Sequence, residues 1–458
     1  MALTIKALNN DTSFYLIFTP PMAPRKGLHP EQFPGAYTIL IDPWLSGPAQ
    51  IIGKKFSHQE HPEPTCLDSL KDLPEPDLIL ISQSQPDHCH EKTLCDLPRE
   101  TGSLILGPAG AVKKIKSWKH FDNDSIYCLK PYNPIKEHSV FRIEVPSFSP
   151  SGGPGEVTIS LLEPKRDITG VHNAIGITYR PPYSVLSLKT NSYINIPHCE
   201  TIPPLPTSPS SPTISLPSGP LSPTLSMSGT PRFLSARANT TFPSPHSNME
   251  KTTSVVYSPH GAPYSCINPW ATTHLISNSA LPLLALIHSF TQVDMPWYMG
   301  GNMATGSPGG LEIARNLLPR AWIGAHDERK VVSGMLTRGI ERTDFEAGEV
   351  KRELEGGLCK EGCRGRTDVL TLGEGMEVRV AHGEAGSLEP RKSWVKEVAG
   401  AVKVEEGETN ACEEADREMA REKEKEKEKE KVAVNEKPRA ESRGTDESSA
   451  DDYNDIGS

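Results

Sequence analysis

The amino-acid sequence predicts an α/β fold, in which buried strands alternate with helices along the chain. Apolar runs such as 36–41 and 77–82 are rich in Leu and Ile and are typical of buried strands. The segment 107–119 predicts a helix, because Pro108 is tolerated in a first helical turn. Several predicted strands end in polar residues, and α/β sheets present their chemistry at the C-terminal ends of strands. We therefore expect a functional site at one edge of a sheet.

The other elements follow the same two patterns. The segment 156–161 alternates apolar and polar residues, which predicts a half-buried strand, and 283–290 predicts a buried element. Helices are predicted at 91–97 and 308–318, because each segment stops before a proline that cannot continue it. Runs of β-branched, aromatic and aliphatic residues predict further strands at 13–18, 103–106, 140–145, 174–179, 254–257, 321–325 and 376–381.

Composition divides the chain into four segments. One folded domain is predicted in two parts, 1–202 and 251–385, separated by an insert at 203–250. The insert is of low complexity, dominated by Pro, Ser and Thr, and has little apolar area to bury, so it is predicted to be disordered. The tail, 386–458, is charged and alternates Glu and Lys over 422–431, and it is also predicted to be disordered. The insert and tail are candidate contacts for protein partners.

Charge and cysteine content exclude some classes of protein. The net charge of −10 gives no basic footprint for nucleic acid. The nine cysteines are scattered and odd in number, which fits a reducing compartment. The sequence shows neither a secretory signal pattern nor an apolar run long enough to cross a bilayer. We expect a cytoplasmic protein without a transmembrane segment, and the same features are compatible with the nucleus.

The most informative motif follows the predicted strand 77–82. It reads Gln83-x-Gln85-x-Asp87-His88, so a carboxylate and an imidazole lie side by side in a polar turn at the end of a strand. Any one histidine near a strand end is usually an ordinary hydrogen-bonded loop residue. Five such positions in one chain are harder to explain as coincidence and predict a shared site. The other four positions are Asp42, His172, His260 and the pair His326 and Asp327.

This set of motifs resembles the metallo-β-lactamase superfamily, whose signature is His-x-His-x-Asp-His. Here Gln83 and Gln85 stand in place of the two leading histidines, so the motif is degenerate. The order of elements is similar to the αββα sandwich of that superfamily, two mixed β-sheets flanked by helices, in the branch related to lactonases and N-acyl-phosphatidylethanolamine phospholipase D. The supporting motifs are Ile-Asp42-Pro-Trp-Leu, His172-Asn-Ala-Ile-Gly, Tyr-Ser-Pro-His260-Gly and Trp-Ile-Gly-Ala-His326-Asp-Glu.

The resemblance implies two metal positions that differ in the types of ligand they offer. Gln83, Gln85 and His172 would lie at the first position, and Asp42 would support a ligand from behind. Amide oxygens suit calcium or magnesium better than zinc, so tight zinc binding is not expected there. The second position matches other residues. Asp87, His88 and His326 match its ligands, and His260 stands where an acidic ligand is usual and is expected to replace it.

Two functions follow as alternatives. In the first, Asp87, His88, His260 and His326 hold one zinc ion with an open position for water, and the protein hydrolyses an ester, lactone, amide or phosphodiester of unknown identity. Asp87 and Asp327 are then the candidate catalytic carboxylates, with Asp327 a candidate base. In the second, the fold is an inactive binding or scaffold module, in which Asp87 caps the next helix. Convergence of the four ligands within about 5 Å of one point would favour the hydrolase.

Overall fold

The computed structural model describes twelve stretches of the chain, all of which belong to one compact unit, Met1–Ser393. The predicted insert at 203–250 lies outside the described residues, as does the predicted tail from residue 393 onward. The described residues are 1–21, 33–51, 53–147, 153–165, 167, 169–182, 184–187, 192–195, 252–337, 339–357, 367–382 and 386–392.

The described residues form 23 strands and five α-helices. The helices are α1 Glu91–Leu94, α2 Ala109–Ser117, α3 Tyr264–Trp270, α4 Gly306–Leu317 and α5 Ala347–Gly357. The strands are β1 Ala2–Ala7, β2 Phe14–Thr19, β3 Tyr37–Ile41, β4 Ala49–Ile51, β5 Ser57–Glu60, β6 Leu78–Leu80, β7 Leu104–Gly107, β8 Ile126–Cys128, β9 Val140–Val145, β10 Gly155–Leu162, β11 Ala174–Arg180, β12 Ser184–Ser187, β13 Ser192–Asn195, β14 Thr253–Ser258, β15 Ala285–His288, β16 Gln292–Asp294, β17 Asn302–Thr305, β18 Ala321–Ile323, β19 Val331–Ser333, β20 Glu341–Thr343, β21 Asp368–Leu370, β22 Met376–Ala381 and β23 Arg391–Lys392.

Two large mixed sheets pack face to face. The first has the strand order β23-β22-β1-β2-β3-β6-β7-β8, and the second has the order β21-β18-β15-β14-β11-β10-β9. Their inner faces share one apolar core, to which Leu16 and Ile39 contribute from the first sheet and Ile177, Val255 and Ile323 from the second. All five side chains are fully buried, and each contributes about 1.5–3 kcal/mol relative to exposure.

Helices cover the outer face of each sheet. On the first sheet α2 contacts β7 and β8 and buries Ala111, Val112 and Ile115. On the second sheet α3 contacts β10, α4 contacts β15 and α5 contacts β21, and Trp270 and Leu311 belong to the core between these layers. The layer order is helix, sheet, sheet, helix. The predicted αββα sandwich is therefore confirmed.

Most predicted elements are present, but the predicted half-burial of 156–161 is wrong. Its strand, β10, is buried along nearly its whole length. The polar positions lie under a helical layer, where Thr158 Oγ1 is 2.6 Å from Thr178 Oγ1 and 2.9 Å from His274 Nε2. The apolar residues of 156–161 therefore face the core between the sheets, and the polar residues face the helical layer. No helix in the described part of the chain is long and apolar enough to span a bilayer.

Candidate metal centre

Four of the predicted strand-end residues lie at one edge of the sandwich. In the first sheet β3 runs parallel to β6, Asp42 directly follows β3, and the loop that carries His88 follows β6. In the second sheet β14, β15 and β18 are parallel, and His260 and His326 follow β14 and β18. Parallel strands present their C-terminal ends at the same edge of a sheet, which explains how residues far apart in sequence meet.

Three of these residues form a compact group of imidazoles. His88, His260 and His326 each offer one ring nitrogen, and the three nitrogens lie within 4.8 Å of one another. The Nε2 atoms of His88 and His260 are 3.0 Å apart. The ring centroid of His326 is 5.4 Å from that of His88 and 4.3 Å from that of His260. The structure thus brings together three of the four ligands predicted for the second metal position.

Asp42 fixes the orientation of His88. Its Oδ2 atom is 2.8 Å from His88 Nδ1, and the pair is fully buried. The same carboxylate accepts hydrogen bonds from the Ser82 backbone N–H, the Ser82 hydroxyl and the Tyr257 hydroxyl. Because Nδ1 of His88 donates to Asp42, its Nε2 lone pair is left to face the group. A carboxylate behind a histidine is the usual way to orient a metal ligand.

His260 is held in the same manner, because its Nδ1 donates to the Met303 backbone carbonyl at 2.9 Å and its Nε2 faces His88. His326 has a mixed setting. Its Nδ1 lies 3.1 Å from Asp11 Oδ1 and 3.3 Å from the Lys330 ammonium. Asp42 and His326 also adopt left-handed backbone conformations, with φ of 42° and 63°, which non-glycine residues adopt at a cost and which often occur at functional sites.

A buried lysine borders the three histidines. The Lys330 ammonium is 2.7 Å from Asp11 Oδ2 and 3.5 Å from Asp87 Oδ2, and it lies 3.3 Å from Nδ1 of His326. The Lys330 side chain is only 8% exposed and Asp11 is fully buried. One ammonium therefore compensates two carboxylates at the edge of the imidazole group.

Burial and the charges around the group shift the pKa values of the three imidazoles in different directions. Burial and the neighbouring His326 and His88 hold the pKa of His260 well below its ordinary value. Burial and the Lys330 ammonium also lower the pKa of His326. Burial opposes the charged form of His88 as well, but Asp87 and Asp42 outweigh it and raise the pKa of His88. His260 and His326 are therefore neutral near pH 7, which is the form that binds metal.

The residues present fit a divalent transition metal. Two nitrogen ligands of a tetrahedral zinc, each at about 2.0–2.1 Å, would be about 3.3 Å apart, and the Nε2 atoms of His88 and His260 are 3.0 Å apart. Two lone pairs that face each other at this distance repel unless a proton or a cation lies between them. Three imidazoles suit zinc, copper, iron or nickel better than calcium or magnesium. The group can therefore hold one ion and leave a coordination position open.

Asp87, the fourth predicted ligand, is directed to Lys330 instead. Its Oδ2 atom is 3.5 Å from the Lys330 ammonium, and it is not a member of the three-nitrogen group. Burial would raise the pKa of Asp87, but His88 and Lys330 hold it well below the usual range, so the carboxylate is ionised. The alternative role of Asp87 as a helix cap is wrong, because the N-cap of α1 is His90.

The structure does not assemble the first predicted metal position from histidine ligands. Gln83 Nε2 donates to the Val171 carbonyl, and the buried Oε1 atoms of Gln83 and Gln85 have no hydrogen-bond partner among the described residues. His172 lies in a different setting, because its Nδ1 is 3.1 Å from the Gly261 carbonyl and its Nε2 is 2.9 Å from the Asn302 carbonyl. Each ring nitrogen of His172 therefore faces a backbone carbonyl, and His172 is not a member of the three-nitrogen group.

Asp327, the predicted base, is turned towards the backbone. Its carboxylate accepts hydrogen bonds from the N–H groups of Phe290 and Thr291 at 2.8–3.1 Å. Burial raises the pKa of Asp327 to about 6, against the opposing effect of these hydrogen bonds. The structure does not bring Asp327 to the three histidines. Its contacts are those of a residue that holds the loop after β15.

Sequence reasoning missed two residues of the centre, Asp11 and Lys330. Asp11 lies in the turn between β1 and β2, and the pairing of Phe14 with Ile41 brings that turn to the edge where β3 ends. The sequence gives no signal that this turn meets the histidines. Lys330 is four residues after His326 and follows no strand, so only the fold reveals its position.

Two comparisons with known proteins match part of this chain. Residues 37–165 match the profile described as a beta-lactamase superfamily domain. A relative described as a UPF0173 metal-dependent hydrolase, from Thermodesulfovibrio yellowstonii, is 33% identical over 75 residues, which are 16% of this chain and 22% of that protein. The matched part thus spans about a fifth of the relative's length. Together with the αββα layers described above, these matches support membership of the metallo-β-lactamase superfamily, and the matched segment is similar to a metal-dependent hydrolase.

Several solved structures are similar to this chain at low sequence identity. Igni18, a metallo hydrolase from Ignicoccus hospitalis, is 12% identical with a TM-score of 0.37, covering 83% of this chain and 98% of its own. An isothiocyanate hydrolase from Delia radicum gut bacteria is 12% identical with a TM-score of 0.39, covering 82% and 98%. The diiron β-hydroxylase CmlA from Streptomyces venezuelae is 12% identical with a TM-score of 0.38, covering 82% of this chain and 53% of its own.

Proposed function

We propose that this protein is a mononuclear zinc hydrolase that acts on an ester, lactone, amide or phosphodiester. The observation that supports the proposal is the group of three buried imidazoles, His88, His260 and His326, whose ligand nitrogens lie within 4.8 Å of one another. Three histidines with an open fourth position are a known ligand set of catalytic zinc. A bound zinc ion would bring the pKa of a water ligand to about 7 and would polarise a substrate oxygen.

The chain's own residues prepare the site. Asp42 and the Met303 carbonyl fix the Nδ1–H tautomers of His88 and His260, so that Nε2 is free to bind. The Asp11 carboxylate lies 3.1 Å from Nδ1 of His326 and places a negative charge beside this ring. Asp87 is ionised and buried beside the group, and we assign it the orientation of the bound water by accepting a hydrogen bond from it. Asp327 has no role in this proposal.

An open cleft offers a place for the substrate. It has a volume of about 620 Å³, and Asn302, Thr305 and His172 are among its lining residues. It borders the loop that carries His260, because the Thr305 N–H donates to the His260 carbonyl at 3.0 Å. Lys165 also lines the cleft and supplies a positive charge that suits an anionic substrate group.

Metal analysis of the purified protein tests the proposal. Protein that has been offered zinc and then dialysed should retain about one ion per chain, and His88→Ala, His260→Ala and His326→Ala should each lose it. His274→Ala is the matched control, because His274 is also buried but bonds Thr158 outside the group. Hydrolysis of chromogenic esters, lactones or phosphodiesters should disappear with the zinc. Wild-type protein that stays metal-free in the presence of zinc would instead favour the inactive scaffold.

A further inference from the structure

Lys330 forms a buried ion pair with a residue that the motif predicts as a metal ligand. Its ammonium lies 3.5 Å from Asp87 Oδ2 and 2.7 Å from Asp11 Oδ2, and the exposed fractions of these side chains are 8% for Lys330, 9% for Asp87 and zero for Asp11. Electrostatic attraction is strong when water is largely excluded, so breaking this arrangement is costly. Asp87 is held by Lys330 while it remains close to the histidines.

The balance of charge explains why a cation is needed here. Asp11 and Asp87 bring two buried carboxylates to this edge of the group, and the Lys330 ammonium contacts both of them, at 2.7 Å and 3.5 Å. The positions expected to supply ligands for another metal are the neutral amides Gln83 and Gln85. Amide oxygens would hold a transition metal there only weakly. The ammonium of Lys330 supplies a positive charge instead.

We propose that Lys330 is a positioning residue that takes the place of a second metal cation and keeps the Asp87 carboxylate out of the coordination sphere of the bound ion. The inference rests on the proposed function, since it concerns an ion held by His88, His260 and His326. The centre then has three imidazole ligands, with Asp87 beside the open position. Removal of the Lys330 charge would free Asp87 to become a fourth protein ligand and to close that position.

Cobalt(II) provides the direct readout, because its visible absorption changes with the number and type of ligands. In the cobalt-loaded protein, Asp87→Asn should leave the spectrum unchanged, since Asp87 is not a ligand. Lys330→Met should change the spectrum, and the double variant Lys330→Met with Asp87→Asn should restore the wild-type spectrum. Zinc competition with a chelator should show at least tenfold tighter binding in Lys330→Met and should lose that gain in the double variant.

Two further variants separate this role from a merely structural one. Lys330→Arg keeps the positive charge and should keep the wild-type spectrum. Lys6→Met removes another buried ion pair, Lys6 with Glu377 at 3.3 Å between β1 and β22, and it should lower stability without a change in the spectrum. If Lys330→Met does not fold, Lys330→Gln replaces it in both the single and the double variant, because glutamine also removes the positive charge.

Each outcome has a definite meaning. A changed spectrum in Asp87→Asn, or an unchanged one in Lys330→Met, overturns the inference and leaves the three-histidine centre intact. A wild-type protein that binds neither cobalt nor zinc overturns the proposed function and this inference with it. An unchanged Asp87→Asn spectrum together with the rescued double variant supports the role of Lys330.

Discussion

At the scale of single residues, the candidate metal centre depends on carboxylates that orient the imidazole ligands as well as on the imidazoles themselves. Asp42 shows this most clearly, since it connects His88, Ser82 and Tyr257 through hydrogen bonds of 2.5–2.8 Å. These contacts join the ends of β3, β6 and β14, so a single side chain ties both sheets to the metal position. We therefore expect a substitution of Asp42 to lower the metal affinity of the centre.

Asp42→Asn should weaken zinc binding by about 10- to 100-fold, because the amide removes the charge that stabilises and orients His88. Chelator competition measures this change. Asp77→Asn is the matched control, because Asp77 lies at the other end of β6 and accepts hydrogen bonds from the Thr38 N–H and hydroxyl. The control should alter stability but leave zinc affinity within about threefold. Equal losses of affinity in the two variants would contradict the role of Asp42.

Asp327 gives a prediction about pH. Its pKa is about 6 in the folded protein because of burial, against about 3.9 in an unfolded chain, so the folded state binds the proton more tightly. The stabilisation from this carboxyl is complete below about pH 4 and is lost as pH rises through 6. Between pH 5 and 7.5 the wild-type protein should lose about 1.4 kcal/mol of unfolding free energy relative to Asp327→Asn.

Urea unfolding of both proteins at several pH values measures the effect of Asp327. The difference between the two unfolding free energies should change in the stated direction, with the variant relatively more stable at the higher pH. Asn can still accept the Phe290 and Thr291 hydrogen bonds, so the comparison isolates the charge. A difference that does not vary with pH would show that the folded-state pKa of Asp327 is not raised.

At the scale of elements, the long apolar strands of the two sheets could be predicted from sequence and several shorter elements could not. The runs that became β2, β3, β9 and β11 have the aliphatic and aromatic character of buried strands, and the structure confirms them. β1 was missed because it contains Lys6, which is buried only through its ion pair with Glu377 on β22. α3 was missed because it includes Pro269, and tertiary packing of Trp270 overrides that weak helical propensity.

Close packing of α4 on the second sheet depends on Gly310. A Cβ atom at this position would lie 2.1 Å from the Trp322 ring, which is fully buried and cannot move aside. Gly310→Ala should therefore lower the unfolding free energy by about 1–3 kcal/mol through overpacking. Gly348→Ala in α5 is the control, because a Cβ there would meet nothing within 4 Å. Helix propensity predicts a gain of up to about 1 kcal/mol for the control.

Chemical denaturation of the two alanine variants measures this difference. Both substitutions add one methyl group to a helical glycine, but the two variants should change the unfolding free energy in opposite directions. Stabilisation by Gly310→Ala would show that α4 can move away from Trp322 at no cost. A large loss in Gly348→Ala would show that α5 does not tolerate a side chain at a position that is open in this structure.

At the scale of the whole molecule, the domain is one sandwich whose sequence is interrupted. β11 and β14 are neighbours in the second sheet, and Tyr179 pairs with Thr253. The chain therefore leaves and re-enters the sheet at adjacent positions, on either side of the predicted insert at 203–250. This register explains why a long segment can be accommodated without separating the two parts of the domain.

Deletion of residues 203–250 should leave the melting temperature within about 2 °C of the full chain. Loop-closure entropy varies slowly with length, and the Pro, Ser and Thr composition of the segment gives little apolar area to lose. Differential scanning calorimetry checks the prediction. A fall of 5 °C or more would show that the segment contributes packing to the domain, and the prediction of a disordered insert would then be wrong.

The candidate site could be predicted only in part. The residue types at the strand ends identified His88, His260 and His326, because polar residues of ligand type recur at the ends of several buried strands. The sequence could not reveal that Asp87 faces Lys330, or that Asp327 faces the backbone of Phe290, since the direction of a side chain in a loop is set by its tertiary neighbours. The contacts that charged side chains make in the folded protein thus could not be predicted from the sequence.

Zinc K-edge absorption spectroscopy of the zinc-loaded protein tests the central claim most directly. We predict nitrogen or oxygen scattering at about 2.0–2.1 Å with the outer-shell pattern of three imidazoles, and no sulfur ligand. A spectrum with one imidazole or none, or with sulfur near 2.3 Å, would contradict the proposal that His88, His260 and His326 together hold the ion.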